Sequence, residues 1–149
     1  MVKFLIATHG FLAEGFKSSV SVLMGEEIAA SIETVNAFVE NGTEDPKGAI
    51  EKICSKVNET DDLVIFTDLM FGSVNQFVTP FVSKKNIFAV TGVNFPLICE
   101  IISKLTFGIE ESRVTEEELH DLILKSRNQM MLVEDVDKKD VVSDDDFFE

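Results

Sequence analysis

The fold of this chain is decided by its first strand-like stretch, Val2-Lys3-Phe4-Leu5-Ile6-Ala7-Thr8-His9-Gly10. The short apolar run in it predicts a buried β-strand. Residues 11–24 follow with apolar side chains at three- and four-residue steps, and Gly25 comes where a helix commonly stops. A strand that leads directly into a helix is the unit from which parallel α/β sheets are built.

The same alternation continues along the chain. We predict strands over residues 2–8, 28–38, 62–68 and 86–93, and helices over residues 11–24, 46–58, 72–84, 96–105 and 115–128. The third strand has the most apolar centre and belongs in the middle of the sheet, whereas the more polar second strand belongs nearer an edge. The expected fold class is therefore α/β, a doubly wound and mainly parallel sheet in the common strand order 2-1-3-4, with helices on both faces.

The carboxyl-terminal part departs from this pattern. The apolar run over residues 130–133 predicts one more short strand, although no crossover helix follows it. Terminal strands of this kind often pair antiparallel at a sheet edge, within a subunit or across a dimer. From Glu134 onward the chain has eight acids and two lysines and no hydrophobic period, which is typical of disordered segments. We expect one domain over residues 1–133 and an acidic, disordered tail over residues 134–149.

Composition excludes several classes of partner. The chain has 149 residues and a formal charge of −14, from 27 acids against 13 lysines and arginines, so its surface repels nucleic acid and anionic lipid. No stretch approaches the roughly 18 apolar residues of a membrane span, and the amino terminus lacks the basic region of a signal peptide. Cys54 and Cys99 stand in no metal or redox spacing. We expect a cytoplasmic protein with reduced, buried cysteines.

A histidine and an aspartate follow two strands of the predicted sheet. In a doubly wound sheet the functional crevice lies beyond the carboxyl ends of the strands, where His9 and Asp68 stand. If the two strands are neighbours, Asp68 can accept a hydrogen bond from one imidazole nitrogen and leave the other nitrogen facing outward as a nucleophile. Taken alone, His9 could cap the strand end and Asp68 could be a turn aspartate. The pair is more specific than either member.

Neighbouring residues could hold an anion or a partner protein. Gly10, beside His9, allows close approach of a phosphoryl group, and Gly72 and Ser73 begin a helix whose free amides and hydroxyl can bind an anion. Ser73 could equally serve only as the helix cap. Large apolar residues around the strand ends suggest a rim for protein docking, although several of them could fold inward: Phe11, Leu69, Met70, Phe71, Phe95 and Pro96.

Spacing excludes other site types. Residues 10–18 nearly spell the phosphate loop GxxxxGK[ST], but Phe16 stands before the lysine and Glu14 puts an acid in the loop. The segment also fails the dinucleotide pattern GxGxxG, and Thr8 stands where aspartyl-phosphate enzymes carry an acid. His120 lies among acids on the last helix, without metal-ligand spacing, and is predicted to be a solvated surface residue.

These residues, in this order, resemble the mannose-class IIA domain of the bacterial phosphoenolpyruvate-dependent sugar phosphotransferase system. The resemblance covers residues 2–133 and is carried by three segments, Ala7-Thr8-His9-Gly10, Thr67-Asp68-Leu69 leading to Gly72-Ser73, and Gly92-Val93-Asn94-Phe95-Pro96-Leu97. It implies a phosphotransferase without metal or other cofactor. His9 would take phosphate from the phosphocarrier protein HPr and pass it to a IIB domain, with Asp68 orienting the imidazole.

The resemblance also implies further partners. Membrane IIC and IID subunits would be reached indirectly through IIB, and family members are homodimers that exchange a carboxyl-terminal edge strand, here residues 130–133. The chain departs from the family pattern at three places. Phe71-Gly72-Ser73-Val74 replaces Gly-Gly-Ser-Pro, Gln76 replaces an asparagine, and the acidic tail has no counterpart in the family's core pattern.

Three alternatives stay open. Phe71 and the tail motivate a phosphorylatable regulatory module that signals to a partner. A dihydroxyacetone phosphotransfer subunit shares the implied fold and histidine. The sequence therefore does not distinguish dihydroxyacetone from a sugar as the final phosphate acceptor, and it does not name the sugar. A flavodoxin-like binder of small molecules would use the same strand ends without histidine chemistry.

Overall fold

The structure is a computed structural model and describes residues 1–108 and 113–135. The chain divides into two compact units, Met1–Val93 and the part that begins at Asn94. Most of the predicted tail, residues 136–149, lies outside the described residues. The domain boundary at residue 133 stays a prediction.

The first unit contains a four-stranded parallel sheet. Its strands run in the order β2-β1-β3-β4, and each neighbouring pair is parallel, which confirms the predicted order 2-1-3-4. Every residue of the third strand is buried, and the second strand lies at an edge, as predicted. The strands are β1 (Val2–His9), β2 (Ile32–Ala37), β3 (Asp62–Thr67) and β4 (Ile87–Val90).

Helices connect the strands of this unit and cover both faces of its sheet. Thr8 and Asn36 point to one face, where their side-chain oxygens accept hydrogen bonds from the first turn of α1. The opposite face packs with residues of α3 and α4 in a core that includes Ala7, Ala37 and Ile65. The helices are α1 (Leu12–Met24), α2 (Glu26–Ala30), α3 (Pro46–Ser55), α4 (Ser73–Val78) and a 3-10 helix (Thr79–Phe81).

Several elements of the first unit are shorter than predicted, most of all the second strand and the helix predicted over residues 72–84. Gly25 has φ 101°, and this left-handed conformation ends α1. The Gly25 carbonyl accepts a hydrogen bond from the backbone N–H of Ala29, which begins the short helix α2. This helix occupies the first residues of the predicted second strand. The helix predicted over residues 72–84 is α4, which ends at Val78 because Pro80 has no N–H for a further α-helical bond. The chain continues as the 3-10 helix.

The second unit consists of α5 (Phe95–Phe107), α6 (Glu116–Arg127) and a 3-10 helix (Val133–Asp135). Side-chain caps begin both α-helices. The Asn94 side chain accepts the backbone N–H of Leu97 at 2.9 Å, and the Thr115 hydroxyl accepts the backbone N–H of Glu118 at 3.2 Å. Residues 115–118 have the Thr-x-x-Glu pattern that is typical of a helix start. Among the described residues, no helix has the length and apolar character needed to cross a membrane.

The strand predicted over residues 130–133 is absent from the single chain. Residues 130–132 have no regular secondary structure, Val133 begins a 3-10 helix, and all four side chains are exposed. An edge strand needs a neighbour to satisfy its backbone hydrogen bonds, and the described sheet contains four strands without it. Its exchange between subunits stays a prediction.

Both cysteines are free and buried. Burial raises the pKa of Cys54 to about 11 and that of Cys99 to about 12. The thiols are therefore protonated at neutral pH and pack as small hydrophobic side chains.

Candidate functional site

The carboxyl ends of β1 and β3 bring His9 and Asp68 together. His9 is the last residue of β1 and Asp68 follows β3 directly, and the two strands are paired neighbours. The Oδ2 atom of Asp68 accepts the backbone N–H of His9 at 2.9 Å and lies 3.0 Å from the ring atom Nδ1. The other carboxylate oxygen accepts the backbone N–H of Leu69 at 3.0 Å. The predicted contact between the pair is therefore present.

The electrostatics of the pair determine which imidazole nitrogen is free. Burial opposes ionisation of Asp68, but the backbone and ring hydrogen bonds from His9 outweigh it and hold the pKa of this carboxyl below its usual range. An ionised carboxylate can only accept hydrogen bonds, so the ring must place its proton on Nδ1 when it is neutral. The lone pair then resides on Nε2, the nitrogen distal to the backbone.

Gly72 lies against the edge of the His9 ring. A β-carbon added to this residue would stand 2.8 Å from Cε1 of His9 and 3.3 Å from Cβ of Leu69. The backbone of Gly72 is extended, with φ −77°, so the absence of a side chain matters for space and not for conformation. Only glycine leaves room here for the imidazole.

Gly10 and Ser73 have different local roles. Gly10 has φ 58°, a left-handed conformation that favours glycine, and its N–H donates to the Ala37 carbonyl at 2.8 Å. Ser73 is exposed and is the first residue of α4, but Gly72 is the residue in the N-cap position, and no side chain caps this helix. The interpretation of Ser73 as the helix cap is therefore wrong.

Asn75 holds the loop between β3 and α4. Its Oδ1 accepts the Thr67 hydroxyl at 3.0 Å, and its Nδ2 donates to the Met70 carbonyl at 2.9 Å. Gln76, which stands where the resembling family has asparagine, is exposed. The asparagine one position earlier therefore provides the amide that braces this loop, and the sequence did not single it out.

The predicted docking residues divide between the two units. Phe11, Leu69, Met70 and Phe71 belong to the first unit and are exposed, with Phe71 exposed by 92%. None of these four folds inward. Phe95 and Pro96 begin α5 in the second unit, where both are half-buried.

Phe38 is a neighbour of His9 that the sequence did not indicate. It follows the last residue of β2, and its ring centroid lies 5.6 Å from that of His9 at an interplanar angle of 44°. Its other neighbour is Phe77 of α4, at 6.2 Å between centroids. The signal was available in the predicted strand order, because β2 beside β1 puts the residues after β2 next to the end of β1.

The remaining histidine and the acids make no metal centre in the described chain. His120 is exposed on α6, as predicted. Within residues 1–108 and 113–135, no group of three or more His, Cys, Asp or Glu side chains is placed to hold a metal ion.

Comparison with known proteins gives one family and several similar folds. The sequence profile of the family described as "PTS system fructose IIA component" matches residues 3–116. No curated protein sequence matches the chain. A solved structure from Klebsiella pneumoniae, of a putative phosphoenolpyruvate-dependent sugar phosphotransferase system permease, is 25% identical with a TM-score of 0.76, over 90% of this chain and 92% of that one.

Two other solved structures are less similar in sequence. The phosphotransferase system component EIIA from Streptococcus agalactiae is 19% identical with a TM-score of 0.70, over 91% of this chain and 100% of that one. The mannose/sorbose-specific IIA subunit from Enterococcus faecalis is 18% identical with a TM-score of 0.65, over 91% and 96%. These two likenesses show the fold alone.

Proposed function

Because the chain belongs to the IIA-component family of the sugar phosphotransferase system, we propose that it is a phosphotransferase that carries a phosphoryl group on His9. The phosphoryl group comes from phosphorylated HPr and passes on to a IIB domain. The observation that supports this is the contact of Asp68 with Nδ1 of His9, which leaves Nε2 as the nucleophile. The geometry is that of an activated nucleophile with its orienting group.

The transfer step balances without a metal or nucleotide. The Nε2 lone pair of His9 forms a bond to phosphorus as the bond between phosphorus and the donor histidine of HPr breaks, and the donor imidazole keeps that electron pair. Nδ1 of His9 retains its proton throughout. The phosphorylated ring therefore carries positive charge, and the Asp68 carboxylate, at 3.0 Å from Nδ1, offsets it. Donation to IIB reverses these changes.

The residues around His9 have supporting roles in the proposal. Gly10, Gly72 and Ser73 bind the phosphoryl group, since Gly72 leaves space at the ring edge and Ser73 exposes a hydroxyl beside it in the chain. The exposed Leu69, Met70 and Phe71, together with Phe11, form the apolar rim that docks HPr and IIB. Phe95 and Pro96 are proposed for the same role.

The assembly is also part of the proposal. Met130, Met131, Leu132 and Val133 expose four consecutive apolar side chains, a composition that fits burial against a second copy of the chain in a homodimer. The membrane IIC and IID subunits are reached through IIB, and the protein works in the cytoplasm.

Two histidines make a direct test possible. Incubation with phosphoenolpyruvate, enzyme I and HPr should add one acid-labile phosphoryl group to the wild type and to His120→Ala, and none to His9→Ala. Phosphorylation that persists in His9→Ala, or that never occurs, contradicts the proposal. Transfer from the phosphorylated protein to a IIB protein of this class then separates a carrier from a regulatory module, which would accept phosphate without donating it.

A further inference from the structure

Phe38 has a backbone conformation that bulky residues rarely adopt. Its φ is 63°, in the left-handed region where a side chain with a β-carbon is strained. Asn41, in the same turn, also has φ 63°, but asparagine tolerates this region because its short polar side chain can bond locally. The strain at Phe38 has no such explanation in its side chain.

The left-handed turn moves the Phe38 ring to the face of the sheet that carries His9. Ala37 pairs with His9 in the β1–β2 register and shares its face. A continued strand would send residue 38 to the other face, with Asn36, whose side chain bonds to α1. The ring instead contacts His9 and Phe77 of α4. The strained backbone is thus what places an aromatic ring against the histidine.

The imidazole of His9 is consequently contacted on three sides. Asp68 contacts Nδ1, Gly72 lies against Cε1, and the tilted ring of Phe38 packs against the imidazole with 5.6 Å between the ring centroids. Burial does not account for the placement of Phe38, because 60% of this side chain is exposed. Local strain persists where the surrounding structure determines it, and it clusters at functional sites.

We propose that Phe38 is a positioning residue for His9. Its ring restricts rotation of the imidazole, so that Nδ1 stays on Asp68 and Nε2 points outward. The catalytic consequence rests on the proposed phosphoryl transfer, whereas the restriction of the ring does not. Two measurements therefore test the inference separately.

The first measurement is ring motion in the protein alone. Carbon-13 relaxation of the His9 Cε1–H bond should give an order parameter of about 0.8 in the wild type and below about 0.6 in Phe38→Leu and Phe38→Gly. Phe38→Gly removes the ring and also relieves the backbone strain, so it keeps the fold. Phe38→Tyr, which retains a ring, should resemble the wild type. Asn41→Gly is the matched control, because it relieves the same backbone conformation without touching His9.

The second measurement is phosphorylation by phosphorylated HPr in a rapid-quench experiment. Phe38→Leu and Phe38→Gly should lower kcat by about ten- to a hundredfold, as misplaced reacting groups do, with KM changed by less than about twofold. Phe38→Tyr, which retains the ring, should keep kcat near the wild-type value. A rise in KM alone would make Phe38 a docking residue, and unchanged ring motion would overturn the inference. If the wild type is not phosphorylated, the proposed function fails while the relaxation data still decide the role of Phe38.

Discussion

Asp68 holds His9 through a single oxygen, Oδ2, which lies 2.9 Å from the backbone nitrogen of His9 and 3.0 Å from its Nδ1. The first contact is to the main chain and does not depend on the charge of the imidazole. The carboxylate therefore keeps this main-chain contact whether the ring is neutral or protonated.

The pH dependence of stability should reveal this pair. The folded-state pKa of Asp68 is lowered, so its contribution to the free energy of unfolding is present above the unfolded-state value of about 3.9 and is lost as pH falls through the folded-state value. Asp68→Asn should therefore show a smaller loss of stability between pH 6 and pH 3 than the wild type, by urea unfolding at both values. Equal losses in the two proteins would contradict the expectation.

A methyl group at residue 72 should disturb the imidazole. Gly72→Ala puts a β-carbon 2.8 Å from Cε1 of His9, closer than such atoms approach, so the ring or the loop must move. We expect phosphorylation to slow by about tenfold or more. Gly15→Ala is the control: it lies in α1 with open space around the added carbon, and it should stabilise the fold by about 0.5–1 kcal/mol at unchanged rate.

The loop after β3 should loosen when its brace is removed. Asn75→Ala leaves the buried Thr67 hydroxyl and the Met70 carbonyl without their amide partner. The free energy of unfolding should fall by about 1–2 kcal/mol, and limited proteolysis should cut the loop faster. Gln76→Ala, at the exposed next position, should change neither. A similar loss of stability in both variants would show that the amide bonds of Asn75 are not the cause.

Glu100 and Lys125 of the second unit form an ion pair whose two members are unequally buried. The Oε1 atom of Glu100 accepts a hydrogen bond from Nζ of Lys125, and the buried Oε2 atom of Glu100 has no hydrogen-bond partner within the part of the chain that the structure describes. The side chain of Glu100 is 8% exposed and that of Lys125 is 52% exposed. Lys125→Met should lower the free energy of unfolding by about 1–3 kcal/mol, because it leaves the Glu100 carboxylate uncompensated. The loss should be smaller than for a fully buried pair, since Lys125 is half exposed.

A double substitution distinguishes pairing from packing in this unit. Glu100→Leu combined with Lys125→Met removes both charges and should recover most of the stability lost in Lys125→Met, measured by chemical unfolding. If the double variant is less stable than Lys125→Met alone, the packing of Glu100 contributes more than its charge.

The sequence predicted the parts of the fold that depend on hydrophobic period. The alternation of strands with helices predicts a parallel sheet, and the buried run of β3 predicts its place in the middle. The common order 2-1-3-4 of such sheets then puts Asp68 beside His9, as the structure has it. The prediction of a strand over residues 28–31 is wrong, because a few apolar residues fit the helical period and the strand period equally well. The helical turn there depends on the backbone of Gly25, which periodicity does not report.

The missed residues of the site share a physical cause. Phe38 contacts His9 only because its backbone leaves the pleat of the strand, and a single φ angle is not encoded in a hydrophobic pattern. Asn75 acts through two hydrogen bonds whose partners depend on the path of the loop. Spacing alone indicates neither of these.

The brace from Asn75 to the Met70 carbonyl has a consequence for how this surface can change over generations. The Nδ2 atom of Asn75 donates to the Met70 carbonyl at 2.9 Å and to the Met70 Sδ atom at 3.8 Å, so the shorter of the two bonds does not depend on the side chain at residue 70. Under the proposed function, natural variation or a randomised library at residues 69–71 changes the docking surface, while His9 stays at the end of β1 and Asp68 directly after β3. The proposed function thus assigns specificity and reactivity to different residues, which can be inherited separately.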